Sequence, residues 1–136
     1  MPHLVILYTP NLEAEAGMGP LCRKLADAML AVRDEAGRQV FPTGGTRVLA
    51  YPAAHAAVAD GGRPDDAFVY LNLRMGAGRS AVVQQAAGDT LLATARAHLA
   101  PLFERRALGL TVQVDESPGQ VYDGKHSSLH PLFQGR

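Results

Sequence analysis

The segment DAFVYLNLRMGAGRS, residues 66–80, narrows the choice of fold more than any other stretch of this chain. Ala67, Val69, Leu71 and Leu73 alternate with Phe68, Tyr70, Asn72 and Arg74, the period of two that a strand with one fully apolar face requires. A glycine-punctuated turn follows. From about Ser80 to Arg105 the apolar residues Val83, Ala87, Leu91, Ala95, Leu99 and Phe103 recur at helical spacing, with Arg105 and Arg106 complementing the helix dipole. Pro101 is expected to kink or break this helix near its end. ALGLTVQVDE then returns to alternation. Strand, helix and strand in succession form a βαβ unit, and its right-handed crossover makes the two strands parallel.

The first half of the chain has the same order. HLVILY is an apolar run of strand length, bounded by Pro2 and by the turn-like TPN. GPLCRKLADAMLAVRDEAG places Leu21, Leu25, Ala28, Met29 and Val32 at helical spacing, with Pro20 suited to the first turn and Gly37 to the stop. After the turn FPTGG, TRVLAYP reads as a short strand and AHAAVADGGRPDD as a loop or weak helix. The expected fold class is therefore α+β: two βαβ units sharing one four-stranded mixed sheet, both helices on a single face. A single domain over 1–136 is expected, with halves at 1–51 and 66–116 and a tail at 117–136 bearing the apolar hook Leu129, Leu132 and Phe133. Because the strands offer little polar material for a second, solvated face, that face is expected to meet other copies of the chain.

Charge narrows the partners. Thirteen basic residues balance thirteen acidic ones among 136 residues, so no global field draws the chain to nucleic acid or to a membrane surface. No apolar run approaches the ~20 residues of a membrane helix. Cys22 is the one cysteine; it has no internal disulfide partner, reads as a small buried hydrophobe, and suits a cytoplasmic setting.

Three features bear on chemistry. MGAGRSA has the G-x-G-x-x-A form of a dinucleotide fingerprint, but the acidic residue expected about 20 positions later falls inside a helical pattern, and only one strand remains after it. The plainer reading is a tight turn capped by Ser80. Arg79, a cation at the positive end of a helix, then suits an anion receptor or a solvated loop. His126 and His130 have a metal-like spacing without a third ligand, so no metal and no cofactor is expected. Pro2 either stiffens the start of a strand or, once Met1 is removed, supplies a secondary amine that can act as a base.

PHLVILY, FPTGGTR, DAFVYLNLRMGAGRS with the following QQAAGDTLL, and LHPLF together resemble the 5-carboxymethyl-2-hydroxymuconate Δ-isomerase family. That family sits in the tautomerase superfamily with 4-oxalocrotonate tautomerase and macrophage migration inhibitory factor. The likeness spans nearly the whole chain; residues 52–65 and the tail before His130 match poorly. It implies a homotrimer of two-βαβ subunits that isomerises a 2-hydroxymuconate-type dicarboxylate or tricarboxylate without a cofactor. It further implies Pro2 as the catalytic base in a pocket near a subunit boundary, with Arg47 and Arg79 binding carboxylate or enolate. The competing expectation is a noncatalytic trimeric module of the same fold that binds a small anion.

Overall fold

In the computed structural model, residues 2–134 are described. Six regular elements form in order: β1 (His3–Tyr8), α1 (Met18–Leu30), β2 (Arg47–Pro52), β3 (Ala67–Gly76), α2 (Ala81–Arg105) and β4 (Leu108–Ser117). The sheet runs β2-β1-β3-β4, with β1 parallel to β2, β3 parallel to β4 and the two halves joined antiparallel through β1 and β3. This is the expected pair of βαβ units.

Alternation explains which face is buried. Leu4, Ile6 and Tyr8 of β1 and Ala67, Val69, Leu71, Leu73 and Met75 of β3 point to one side and are almost completely buried. They meet Leu21, Leu25 and Met29 of α1 and Ala87, Leu91, Ala95 and Leu99 of α2 in a single core. Each fully buried aliphatic side chain stabilises the fold by about 1.5–3 kcal/mol relative to exposure. Cys22 is partly buried against the core, and burial raises its thiol pKa, in keeping with a packing role.

Local chemistry corrects three details. α1 ends at Leu30 rather than running toward Gly37. Arg33 Nη1 donates to the carbonyl oxygens of Leu30 and Val32, and Arg33 pairs with Gln39 across a turn closed by Asp34, whose Oδ1 accepts from the backbone N–H groups of Ala36 and Arg38. Gly37, at φ +79°, takes the left-handed position in that turn. Pro101 does not break α2. It lies on the exposed side while Leu99 and Leu102 on either side of it are buried, so core packing carries the helix across the missing hydrogen bond. Leu102, not Phe103, ends the buried stripe, because each four-residue step overshoots a full turn by about 40° and a three-residue step restores the face.

Ser80 caps α2 as its position suggests: its Oγ accepts from Val83 N at 3.3 Å and donates to Glu35 Oε1 at 3.1 Å. Ser80→Ala should cost about 1 kcal/mol in urea unfolding. A midpoint unchanged within error would show the cap to be dispensable.

The uncovered face of the sheet is more polar than expected. Leu7, Leu49, Tyr51 and Phe68 are about half or one-third exposed there. Beside them, however, Tyr70 Oη donates to Gln113 Oε1 at 2.8 Å and Asn72 Nδ2 donates to Asp115 Oδ2 at 2.8 Å. The strand register grades this face from apolar at the Leu7 end to charged at the His3 end, a pairing between distant strands that the sequence does not display.

Candidate active site

The charged end of the face lies where the central strand begins. His3 is flanked by Arg47 on β2 and by Arg74 on β3, and Arg74 is in turn opposite Asp115 on β4. Burial, then the positive charges of Arg47 and Arg74, hold the His3 imidazole below its ordinary 6.5, since each disfavours another positive charge. Pro2, the preceding residue, is buried. Continuing the β1–β3 register by one residue sets Pro2 opposite Met75, both on the helix-covered side.

Arg79 reaches this corner from the other direction. After β3, Gly78 takes φ +105°, which turns the chain toward α2. The Arg79 guanidinium lies over the Phe41 ring at 5.3 Å from its centroid, and donates from Nη1 to Gly76 O at 3.1 Å and from Nη2 to Val40 O at 3.4 Å. Neutral carbonyls and an aromatic face hold it, so its charge has no carboxylate partner among the described residues. A Cβ at Gly76 would stand 3.8 Å from Nη1: the arginine itself fills the approach to this glycine, where a dinucleotide fingerprint would receive a phosphate.

Of the three residues singled out in the sequence, Pro2 and Arg47 thus lie at the adjacent starts of β1 and β2, and Arg79 follows the turn after β3. Half-buried Arg47 lines a groove with Cys22, Ala26, Leu30, Leu129 and Phe133, whereas Arg79 is anchored across Gly76. The hook is the 3-10 helix His130–Phe133; it rests on the 3-10 helix Thr43–Gly45 that leads into Arg47, where a Cβ on Gly44 would meet His130 Nδ1 at 3.1 Å. Among the described residues no group of three or more His, Cys, Asp or Glu could hold a metal ion. Among the described residues no helix is long and apolar enough to cross a membrane.

Sequence reasoning missed Arg74 and Ser117. A cleft of about 430 Å³ opens beside His3, lined by Arg74, the Met75–Ala77 segment, and the segments 117–120 and 123–125. The alternation in DAFVYLNLR put Arg74 on the face away from the helices, but only the pairing of β1 with β3 sets it beside the start of the chain.

Comparison with known proteins decides the family. The model of the 5-carboxymethyl-2-hydroxymuconate isomerase family matches residues 2–133. The chain belongs to that family. A crystal structure of a 5-carboxymethyl-2-hydroxymuconate delta-isomerase is 59% identical, with a TM-score of 0.92 over 98% of this chain and 93% of that one. A 5-carboxymethyl-2-hydroxymuconate isomerase from Deinococcus radiodurans R1 is 37% identical, with a TM-score of 0.85 over 98% and 94% of the two chains. The Escherichia coli 5-carboxymethyl-2-hydroxymuconate Delta-isomerase is 31% identical over 98% of this chain and all of its own length. A fused 4-OT described as a symmetric trimer shares the fold alone, at 21% identity and a TM-score of 0.58 over 98% and 99% of the two chains. Membership of this family makes the chain an isomerase and displaces the noncatalytic reading.

Proposed function

We propose that the protein converts 5-carboxymethyl-2-hydroxymuconate, a dienol bearing three carboxylates, to its keto isomer as a cytoplasmic homotrimer, using the nitrogen of Pro2 as the proton shuttle. The observation that carries the substrate is the 59% identity, across nearly the whole of both chains, to an enzyme named for it. In the reaction the Pro2 nitrogen takes the enol O–H proton, the O–H bonding pair enters the conjugated system as a C=O bond forms, and the ammonium returns the proton to a carbon of the chain. The balance closes without oxidant, metal or cofactor.

Pro2 suits this role once Met1 is removed. An exposed terminal amine has a pKa near ~8, too high for a base that is free at neutral pH. Burial and a positive field both lower it, and Pro2 is buried in a strand start whose next residue, His3, is flanked by Arg47 and Arg74. Arg47 and Arg79 would bind the substrate carboxylates and the negative charge that grows on the enolate, a task for which a permanently charged planar fork is fitted. The exposed Leu7, Leu49, Tyr51 and Phe68 supply an apolar patch for neighbouring copies, in the manner of the fold relative described as a symmetric trimer.

The test is direct. Protein shown by intact mass to begin at Pro2, kept in a metal chelator, is expected to convert the dienol in an ultraviolet assay and to sediment with the mass of three chains. No turnover by that species would overturn the assignment; a monomer mass would overturn the trimer.

A further inference from the structure

The cleft beside His3 is rich in hydrogen-bond donors and poor in acceptors. Arg74 has no ion-pair partner among the described residues; its Nη2 meets only Ser117 Oγ, at 3.5 Å. Ser117 is 7% exposed, and its Oγ also receives Gly119 N at 3.3 Å and Gln120 Nε2 at 3.4 Å. Every partner of this hydroxyl oxygen is a donor, so the hydroxyl proton itself has no acceptor among the described residues. The carboxylates close by are engaged elsewhere: Asp115 accepts from Asn72, and Asp123 is paired with Lys125 at 2.5 Å. Arg74 is exposed at the mouth of the cleft while Ser117 is buried behind it, and a guanidinium beside a hydroxyl with a spare proton is the complement of a carboxylate.

The cleft is also placed to share a substrate with Pro2. His3 and Met75, the neighbour and the register partner of Pro2, both line it. Gly76 forms its wall on one side and holds Arg79 through its carbonyl on the other. A six-carbon dienol lying across the end of β1 could thus have one carboxylate at Arg79 and a branch in the cleft.

We propose that this cleft receives the carboxymethyl arm of the substrate, its carboxylate held by the Arg74 guanidinium and the Ser117 hydroxyl, and that these two residues set the preference for a branched tricarboxylate over a plain 2-hydroxymuconate. The inference rests on the function proposed above and adds a subsite to it. Its experiment compares kcat/KM on 5-carboxymethyl-2-hydroxymuconate and on 2-hydroxymuconate, which lacks the arm, for the parent chain, Arg74→Met and Ser117→Ala. Arg74→Met is expected to lower the ratio of the two values three-fold or more, on the order of ten-fold, as suits loss of a charge-assisted hydrogen bond. Ser117→Ala should lower it in the same sense, and circular dichroism checks that both variants fold. A ratio altered by less than three-fold in folded Arg74→Met overturns the subsite, whatever the absolute rates. Pro2→Ala keeps the two ideas apart. If it leaves turnover of both substrates intact, the proton shuttle fails while the selectivity result still stands or falls on Arg74.

Discussion

Pro2→Ala should lower kcat/KM on the dienol by about 10²–10⁴-fold, the range for loss of a positioned acid–base group. Alanine leaves a primary amine at the same end of the chain but removes the ring that fixes φ, so the nitrogen is no longer held at one place and direction at the start of β1. The alternative role for Pro2, a stiffener at a strand end, predicts something different: a modest drop in melting temperature with kcat/KM within a few-fold of the parent. Measuring both quantities on one preparation separates chemistry from stability. Retained activity with lowered stability would leave Pro2 a purely structural residue.

Arg79→Ala comes second in expected effect, at about 2–4 kcal/mol of transition-state stabilisation, the scale of one preorganised donor aimed at developing negative charge. The structure sharpens the comparison with lysine. Arg79 stacks over Phe41, itself fully buried, and spans from Gly76 O to Val40 O with two nitrogens of one planar group. Lysine keeps the charge but can neither stack as a plane nor bridge the two carbonyls in that manner, so Arg79→Lys should recover only part of the loss. If Arg79→Ala instead matches the parent in kcat/KM and differs only in its urea midpoint, the arginine is a strut between β3 and the Phe41 turn, and the enolate is stabilised by other groups.

How far the sequence reveals this molecule depends on the range of each interaction. Phe68 through Arg74 announce a one-sided strand because alternation is local, and Ser80 announces a cap because its acceptor and donor are three residues apart. The end of α1 is less legible: Gly37 looks like a helix stop, yet Arg33 and Asp34 close the helix and a turn several residues earlier through side-chain hydrogen bonds. Pro101 misleads for the opposite reason, since a local breaking tendency yields to the burial of Leu99 and Leu102. Pro2, Arg47 and Arg79 stand out through motif and family likeness, whereas their arrangement depends on pairings between residues separated by tens of positions. Arg74 and Ser117 belong wholly to that second kind. Neither sits in a motif, and only the β1–β3 and β3–β4 registers make them walls of one cleft beside His3.

The central claim concerns one nitrogen atom: free, it is a base; joined to Met1, it is an amide without basicity. The decisive measurement prepares the chain in both forms, one beginning at Pro2 and one retaining Met1, verifies each by intact mass, and compares kcat/KM on the same dienol. The expected result is turnover by the Pro2-terminated form, with the Met1-bearing form lower by two orders of magnitude or more. Equal rates for the two would contradict the mechanism.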